Sequence, residues 1–115
     1  MKIYGIKNCN TVKKALVWLD DNGIDYTFVD FKKEPANEKL IAHWLQSKSW
    51  KELVNTKGTT YRMLSDEEKK KITNESSAIH LMVEKNSVIK RPVLELNNTI
   101  VLGFDEAVYR ELFKK

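Results

Sequence analysis

Thiols are almost absent from this sequence. Of its 115 residues one is a cysteine, Cys9, which excludes an internal disulfide and any multi-cysteine zinc site. Histidine is nearly as scarce. His43 and His80 leave little for a transition metal, and both fall inside helical patterns that assign them to structure rather than chemistry. Long apolar runs are missing too: none approaches the roughly 18 residues of a membrane span, so no membrane is expected as a partner. Met1-Lys2-Ile3-Tyr4-Gly5 starts like a strand, without the apolar stretch or cleavage site of a signal peptide, and the expected compartment is the cytoplasm. Nor is charge of one sign concentrated. The 20 Lys+Arg stand against 16 Asp+Glu for a net +4, and runs such as Glu67-Glu68-Lys69-Lys70-Lys71 mix the signs. Such runs describe solvated helix faces; a nucleic-acid footprint would focus its cations on one face, so no nucleic-acid partner is expected.

What remains is an ordinary globular composition, 42% hydrophobic and 31% charged, of a length that suits one domain over residues 1–115 with its own core. Residues 2–6 read as a short strand. Asn8, Cys9, Asn10 and Thr11 follow as a polar break with helix-capping residues. Val12, Ala15, Leu16 and Leu19 then recur at steps of three and four, the stripe of an amphipathic helix. Asn22-Gly23 stops it, and Ile24, Tyr26, Phe28, Val29 and Phe31 make a second strand. Strand, helix and strand in this compass form a βαβ unit with parallel strands. A helical insertion is expected over about 33–88. It opens at Pro35, carries Leu40, Ile41, Trp44 and Leu45, passes through a loop at Asn55–Arg62, and resumes as helix near Ser65–Ile72 and Ser76–Lys85. Val93–Leu96 and Thr99–Leu102 flank Asn97-Asn98 as a hairpin, and Asp105 caps a last helix bearing Val108, Leu112 and Phe113. The tryptophans Trp18, Trp44 and Trp50 are assigned to packing.

Cys9 falls at the carboxyl end of the first strand and at a helix start, the edge where open α/β sheets bind ligands. Unpaired backbone N–H groups and the positive end of the helix dipole favour a thiolate there, and the thiolate is the nucleophile. Lys7, Lys13 and Arg91 can add positive potential. A single thiol sets a limit on the chemistry: position 12, where a dithiol motif places its resolving cysteine, is Val12. A mixed disulfide on Cys9 must therefore be resolved by an outside thiol, and glutathione is the obvious cellular candidate. Pro92 marks a strand start, an edge or a cis bond, and Arg91 before it is either a surface cation or a bidentate partner for an anion. Asn55–Arg62, with Gly58 and Lys57, reads as a connecting loop or an anion-contacting one. Gly103-Phe104-Asp105 reads as a helix cap or a ligand edge.

Taken together, Tyr4–Ala15, Asn55–Arg62, Ile89-Lys90-Arg91-Pro92 and Leu102-Gly103-Phe104 resemble the ArsC/Spx superfamily over essentially the whole chain, and its YffB-type branch most of all. The resemblance implies a thioredoxin-like α/β fold, with a small mixed four-stranded sheet and the helical insertion between strands 2 and 3. It also implies Cys9 as nucleophile and Pro92 as a cis-proline facing it. Members that reduce arsenate set three arginines around the cysteine. Arg91 matches the one before the proline, Lys57 falls where a second stands, and Gly103-Phe104 supplies no third. Val12 replaces a hydroxyl residue and Lys13 an arginine. Two cations, one of them a lysine, make a weaker oxyanion cradle than three guanidiniums.

The leading expectation is thus a monothiol oxidoreductase, a glutathione-dependent thiol/disulfide reductase acting through Cys9. It is expected to be a monomer that takes glutathione as co-substrate and holds no bound cofactor or metal. Lys13, Lys57 and Arg91 would stabilise the thiolate or an anion; Asn8, Asn10, Thr11, Arg91, Pro92, Gly103, Phe104 and Asp105 would line the groove for glutathione or a small disulfide. Two alternatives stay open. One is arsenate reduction coupled to glutathione and glutaredoxin; the other is an Spx-like regulator that binds RNA polymerase, though Val12 denies this chain the Cys-x-x-Cys switch of that branch.

Overall fold

Four short strands, seven α-helices and one 3-10 turn (Asn86–Val88) make up the chain in a computed structural model that describes residues Met1–Lys115. They group into two compact units, one formed by Met1–Glu34 with Arg91–Lys115 and the other by Pro35–Lys90. No helix is long and apolar enough to cross a membrane.

The first unit holds the sheet. Strands β1 (Lys2–Gly5), β2 (Thr27–Asp30), β3 (Val93–Leu96) and β4 (Thr99–Leu102) lie in the order β2-β1-β3-β4. The β1–β2 pair is parallel, as a βαβ crossover through helix α1 (Asn10–Asp21) requires. The β1–β3 and β3–β4 pairs are antiparallel, which gives the small mixed sheet expected of a thioredoxin-like fold. The second strand is shorter than its sequence suggests. An edge strand pairs only along its one neighbour, so β2 begins at Thr27 opposite Lys2 and ends at Asp30 opposite Gly5. Ile24 and Tyr26 instead pack against the core of Ile3, Ala15, Trp18, Leu19, Leu94 and Tyr109. Helix α7 (Glu106–Phe113) closes that core through aromatic contacts: the Tyr109 ring meets Trp18 edge-on at 5.6 Å and Phe104 at 4.8 Å. Such pairs add about 0.5–1.5 kcal/mol each beyond their burial.

The second unit is helical: α2 (Glu38–Trp44), α3 (Trp50–Leu53), α4 (Thr59–Arg62), α5 (Asp66–Lys70) and α6 (Glu75–Glu84). Its helices are written in their caps. Asn37, Ser49, Ser65 and Asn74 each accept a first-turn N–H, and the last three form reciprocal boxes with Glu52, Glu68 and Ser77. Asn37, not Pro35, therefore starts α2. The loop expected at Asn55–Arg62 is half helical. Gly58 is the N-cap of α4, where an added Cβ would sit 2.9 Å from Asn55 Nδ2, and the turn winds around Asn55, whose Oδ1 accepts from Lys57 N at 3.3 Å. Asn86 ties the two ends of the unit together, accepting from Ala36 N at 2.8 Å and donating to Met82 O at 2.7 Å. Trp18 and Trp44 are buried as packing residues, whereas Trp50 is half-buried under Lys51. His43 and His80 lie exposed on α2 and α6 rather than packed within, and His80 Nε2 stands 3.7 Å from Glu84 Oε2 on the following turn.

Candidate functional site

Strand register brings three separate segments to one end of the sheet. Tyr4 pairs with Val93 across an antiparallel ladder, so the chain leaving β1 at Gly5 runs beside the chain entering β3 through Arg91 and Pro92. Val93 in turn pairs with Leu102, which sets Gly103 beside Pro92, and Gly103 N donates to Pro92 O at 2.9 Å. The Arg91–Pro92 peptide is cis and Pro92 is buried. Gly103 holds φ +74°, a left-handed backbone that a side chain would strain. Cys9, Arg91, Pro92 and Gly103-Phe104-Asp105 thus meet at the carboxyl end of β1.

Gly5 sets how close α1 starts to the sheet. A Cβ on it would lie 2.8 Å from Val12 Cγ2, so the bare backbone lets the fully buried Val12 lie against the strand end. The preceding residue pattern held this signal: a glycine closing a strand four residues before the thiol marks a close backbone approach.

Cys9 itself, rather than Asn8, Asn10 or Thr11, is the N-cap of α1, with extended backbone at φ −137° and ψ 121°. The Cys9 side chain closes no cap hydrogen bond of ordinary geometry, and the first turn of α1 carries no acidic residue. Five other helices place an Asn, Ser or Asp oxygen at this position. Here a sulfur faces the N–H groups and the positive helix end that a side-chain oxygen satisfies in those helices. Burial alone pushes the half-buried thiol up. The Val12 N–H, the Arg91 guanidinium (by hydrogen bond and by charge) and the Thr11 N–H outweigh it, and the Cys9 thiol lies below the ordinary thiol range.

The other expected residues divide into groups. Asn8, Asn10 and Thr11 surround the sulfur in sequence and are exposed. Asp105 is occupied as a cap: its Oδ1 accepts from Ala107 N at 2.9 Å and Val108 N at 3.4 Å. Lys13, expected to stabilise the thiolate, is not among the groups that lower it. Its side chain borders a cleft that Phe104 also lines, while its backbone N–H closes the first helical turn onto Cys9 O at 2.9 Å. Lys57 belongs to the second unit, exposed in the turn before α4.

Known proteins resemble this chain along most of its length. The ArsC family model matches residues 4–112. An uncharacterised protein of Haemophilus influenzae is 35% identical over 111 residues, covering 96% of each chain. Among solved structures, an arsenate reductase (ArsC) related protein from Brucella melitensis superposes with a TM-score of 0.78 at 44% identity, over 99% of this chain and 94% of that one. The YFFB (PA3664) protein superposes at 0.90 with 38% identity over 96% of each. A thiol at a helix start with its pKa lowered, an arginine before a cis-proline and a family match from the first strand to the last helix lead to one conclusion: the chain belongs to the ArsC family.

Proposed function

We propose that this protein is a glutathione-dependent monothiol reductase acting on glutathione mixed disulfides. The observation that carries the reading is a thiol held below its ordinary range by Val12 N–H, Arg91 and Thr11 N–H, in a chain with no second cysteine. The Cys9 thiolate attacks the glutathionyl sulfur of R–S–S–G. The Cys9–S–S–G bond forms, the S–S bond of the substrate breaks, and R–S⁻ leaves with the electron pair and takes a proton from solvent. A second glutathione, as thiolate, attacks the glutathionyl sulfur on Cys9. Glutathione disulfide departs and the Cys9 thiolate returns, so the net change is R–S–S–G plus glutathione giving R–SH plus glutathione disulfide.

Arg91 and the start of α1 lower the free energy of Cys9 both as nucleophile and as leaving group, which suits a sulfur that must do each in turn. Gly103, Phe104 and Asp105 on one side and Asn8, Asn10 and Thr11 on the other supply the edges along which the glutathionyl group lies. Arsenate reduction has less support, because Arg91 is the one cation that bears on the sulfur. Mass spectrometry after mild treatment with glutathione disulfide tests the proposal. One glutathionyl adduct on the wild-type chain, none on Cys9→Ser, and release of the adduct by fresh glutathione are expected; failure of Cys9 to take the adduct would sink it.

A further inference from the structure

The cleft beside Lys13 runs down α1 away from the cysteine, with a volume of about 450 Å³. Lys13 and Lys14 lie at its near end, one turn from Cys9; Val17 and Trp18 follow on the next turn, and Asp21 closes the far end of the helix. Phe104 and the first residue of α7, Glu106, form the opposite wall. Val17 is 56% exposed, an aliphatic side chain left open on an otherwise amphipathic helix. Glu106 pairs with Arg110 at 3.3 Å, and the cations of the cleft, Lys13 and Lys14, stand together on the first turns of α1. Along α1 the order from the thiol outward is therefore cations, apolar surface, then a carboxylate, with Glu106 on the facing wall.

Helical rise sets the scale. At about 1.5 Å per residue, Val17 stands roughly 12 Å and Asp21 roughly 18 Å along the axis from Cys9. Glutathione has one residue on each side of its cysteine, and at about 3.3 Å per residue it ends well short of Val17. An extended polypeptide spans that distance in three or four residues from its own cysteine.

The geometry points to this cleft as the docking groove for the leaving half of the mixed disulfide, a glutathionylated polypeptide. Its segment carries acidic residues beside the modified cysteine and an aliphatic or aromatic residue three or four positions away. Charge complementarity with Lys13 and Lys14 and apolar contact with Val17, Trp18 and Phe104 select it. The inference rests on the reductase reading above and names its substrate class. The peptide cysteine leaves as the thiolate R–S⁻ of that same step, so no further oxidant or reductant enters.

The test uses the full-length reduced protein and synthetic glutathionylated peptides. One has aspartates on both sides of the cysteine and a leucine four positions away on each side, so that chain direction does not matter. A second has lysines for the aspartates, and a third has glutamines for the leucines. The rate of glutathione transfer to Cys9 is followed by mass spectrometry. The acidic, leucine-bearing peptide is expected to react about tenfold faster than either of the others. Lys14→Glu is expected to remove the aspartate preference and Val17→Glu the leucine preference; both positions are exposed, so the fold tolerates the changes. Equal rates for the three peptides, or preferences that survive both substitutions, would overturn the groove. Transfer from glutathione disulfide but from no peptide overturns the groove and leaves the reductase reading standing. Transfer from no disulfide at all overturns both.

Discussion

At the scale of single residues, the state of the Cys9 thiol turns on how three groups outweigh one. Burial opposes the Cys9 thiolate, and two amides with one guanidinium prevail over it. The sequence made the amides legible, since a polar break before an amphipathic stripe marks a helix start. It made Arg91 legible as one cation among three candidates, but not its priority over Lys13. That priority depends on the pairing of Tyr4 with Val93, a contact between residues far apart in the chain. Replacing Arg91 with Met is therefore expected to raise the thiol pKa, and to slow alkylation of Cys9 by iodoacetamide at neutral pH on the order of tenfold, the usual scale for losing a charge-assisted hydrogen bond. Lys13→Met is expected to leave the thiol titration where it is. The same pKa shift enters stability. Between the folded thiol's value and the higher value of the unfolded chain, the unfolded state binds more protons, so stability rises with pH across that interval. The contribution is complete above the ordinary thiol range and is lost as pH falls through the folded value. Urea denaturation of the wild type and Cys9→Ser across that interval is expected to show a gap that widens with pH and then levels; a gap independent of pH would contradict the assignment.

At the scale of elements, the strand and helix order was legible because periodicity and turn chemistry are local. The hairpin at Asn97-Asn98 forms with Leu96 opposite Thr99 and Asn97 at φ 56°, the left-handed turn an asparagine tolerates. Boundaries set by partners were not legible. β2 is clipped by the length of β1, and the Asn55–Arg62 stretch turns helical because Asn55, Gly58 and Val88 meet. The junction of β1 and α1 matters most, since it fixes the cap at Cys9. Gly5→Ala would drive a methyl to 2.8 Å from a stiff β-branched side chain, so either the strand end or the helix start must move. A loss of about 1–3 kcal/mol in denaturant unfolding is expected, together with a rise in the Cys9 pKa as the first turn shifts. Pairing it with Val12→Ala makes room for the methyl, so the double variant is expected to lose less than the sum of the two singles. At the other side of the site, Asp105→Ala removes the cap of α7 and is expected to cost about 1 kcal/mol, with little change in the thiol titration.

At the scale of the whole molecule, two sequence-wide quantities bear on the proposed chemistry: the count of one thiol and the net charge of +4. The first means that a mixed disulfide on Cys9 could be resolved only by a thiol from a second molecule. The second acts before any contact forms. Glutathione carries two carboxylates and one ammonium, so on the proposed reading glutathione disulfide, with a net negative charge, would approach a basic protein, and at Cys9 a sulfur beside Arg91, with a favourable long-range potential. Attraction of this kind works on encounter and is screened once the Debye length shrinks below the separation of the charges. It leaves the sulfur–sulfur exchange itself untouched. Raising the salt from about 20 mM to about 500 mM is therefore expected to slow the bimolecular reaction of Cys9 with glutathione disulfide several-fold. The reaction with a neutral disulfide such as hydroxyethyl disulfide should stay within a factor of about two, because it has no net charge to steer. Stopped-flow rates for the two disulfides over the same salt series separate steering from intrinsic reactivity. An equal fall for both would mean that salt acts on the thiolate and its local partners, and the net charge would then have no part in bringing the substrate in.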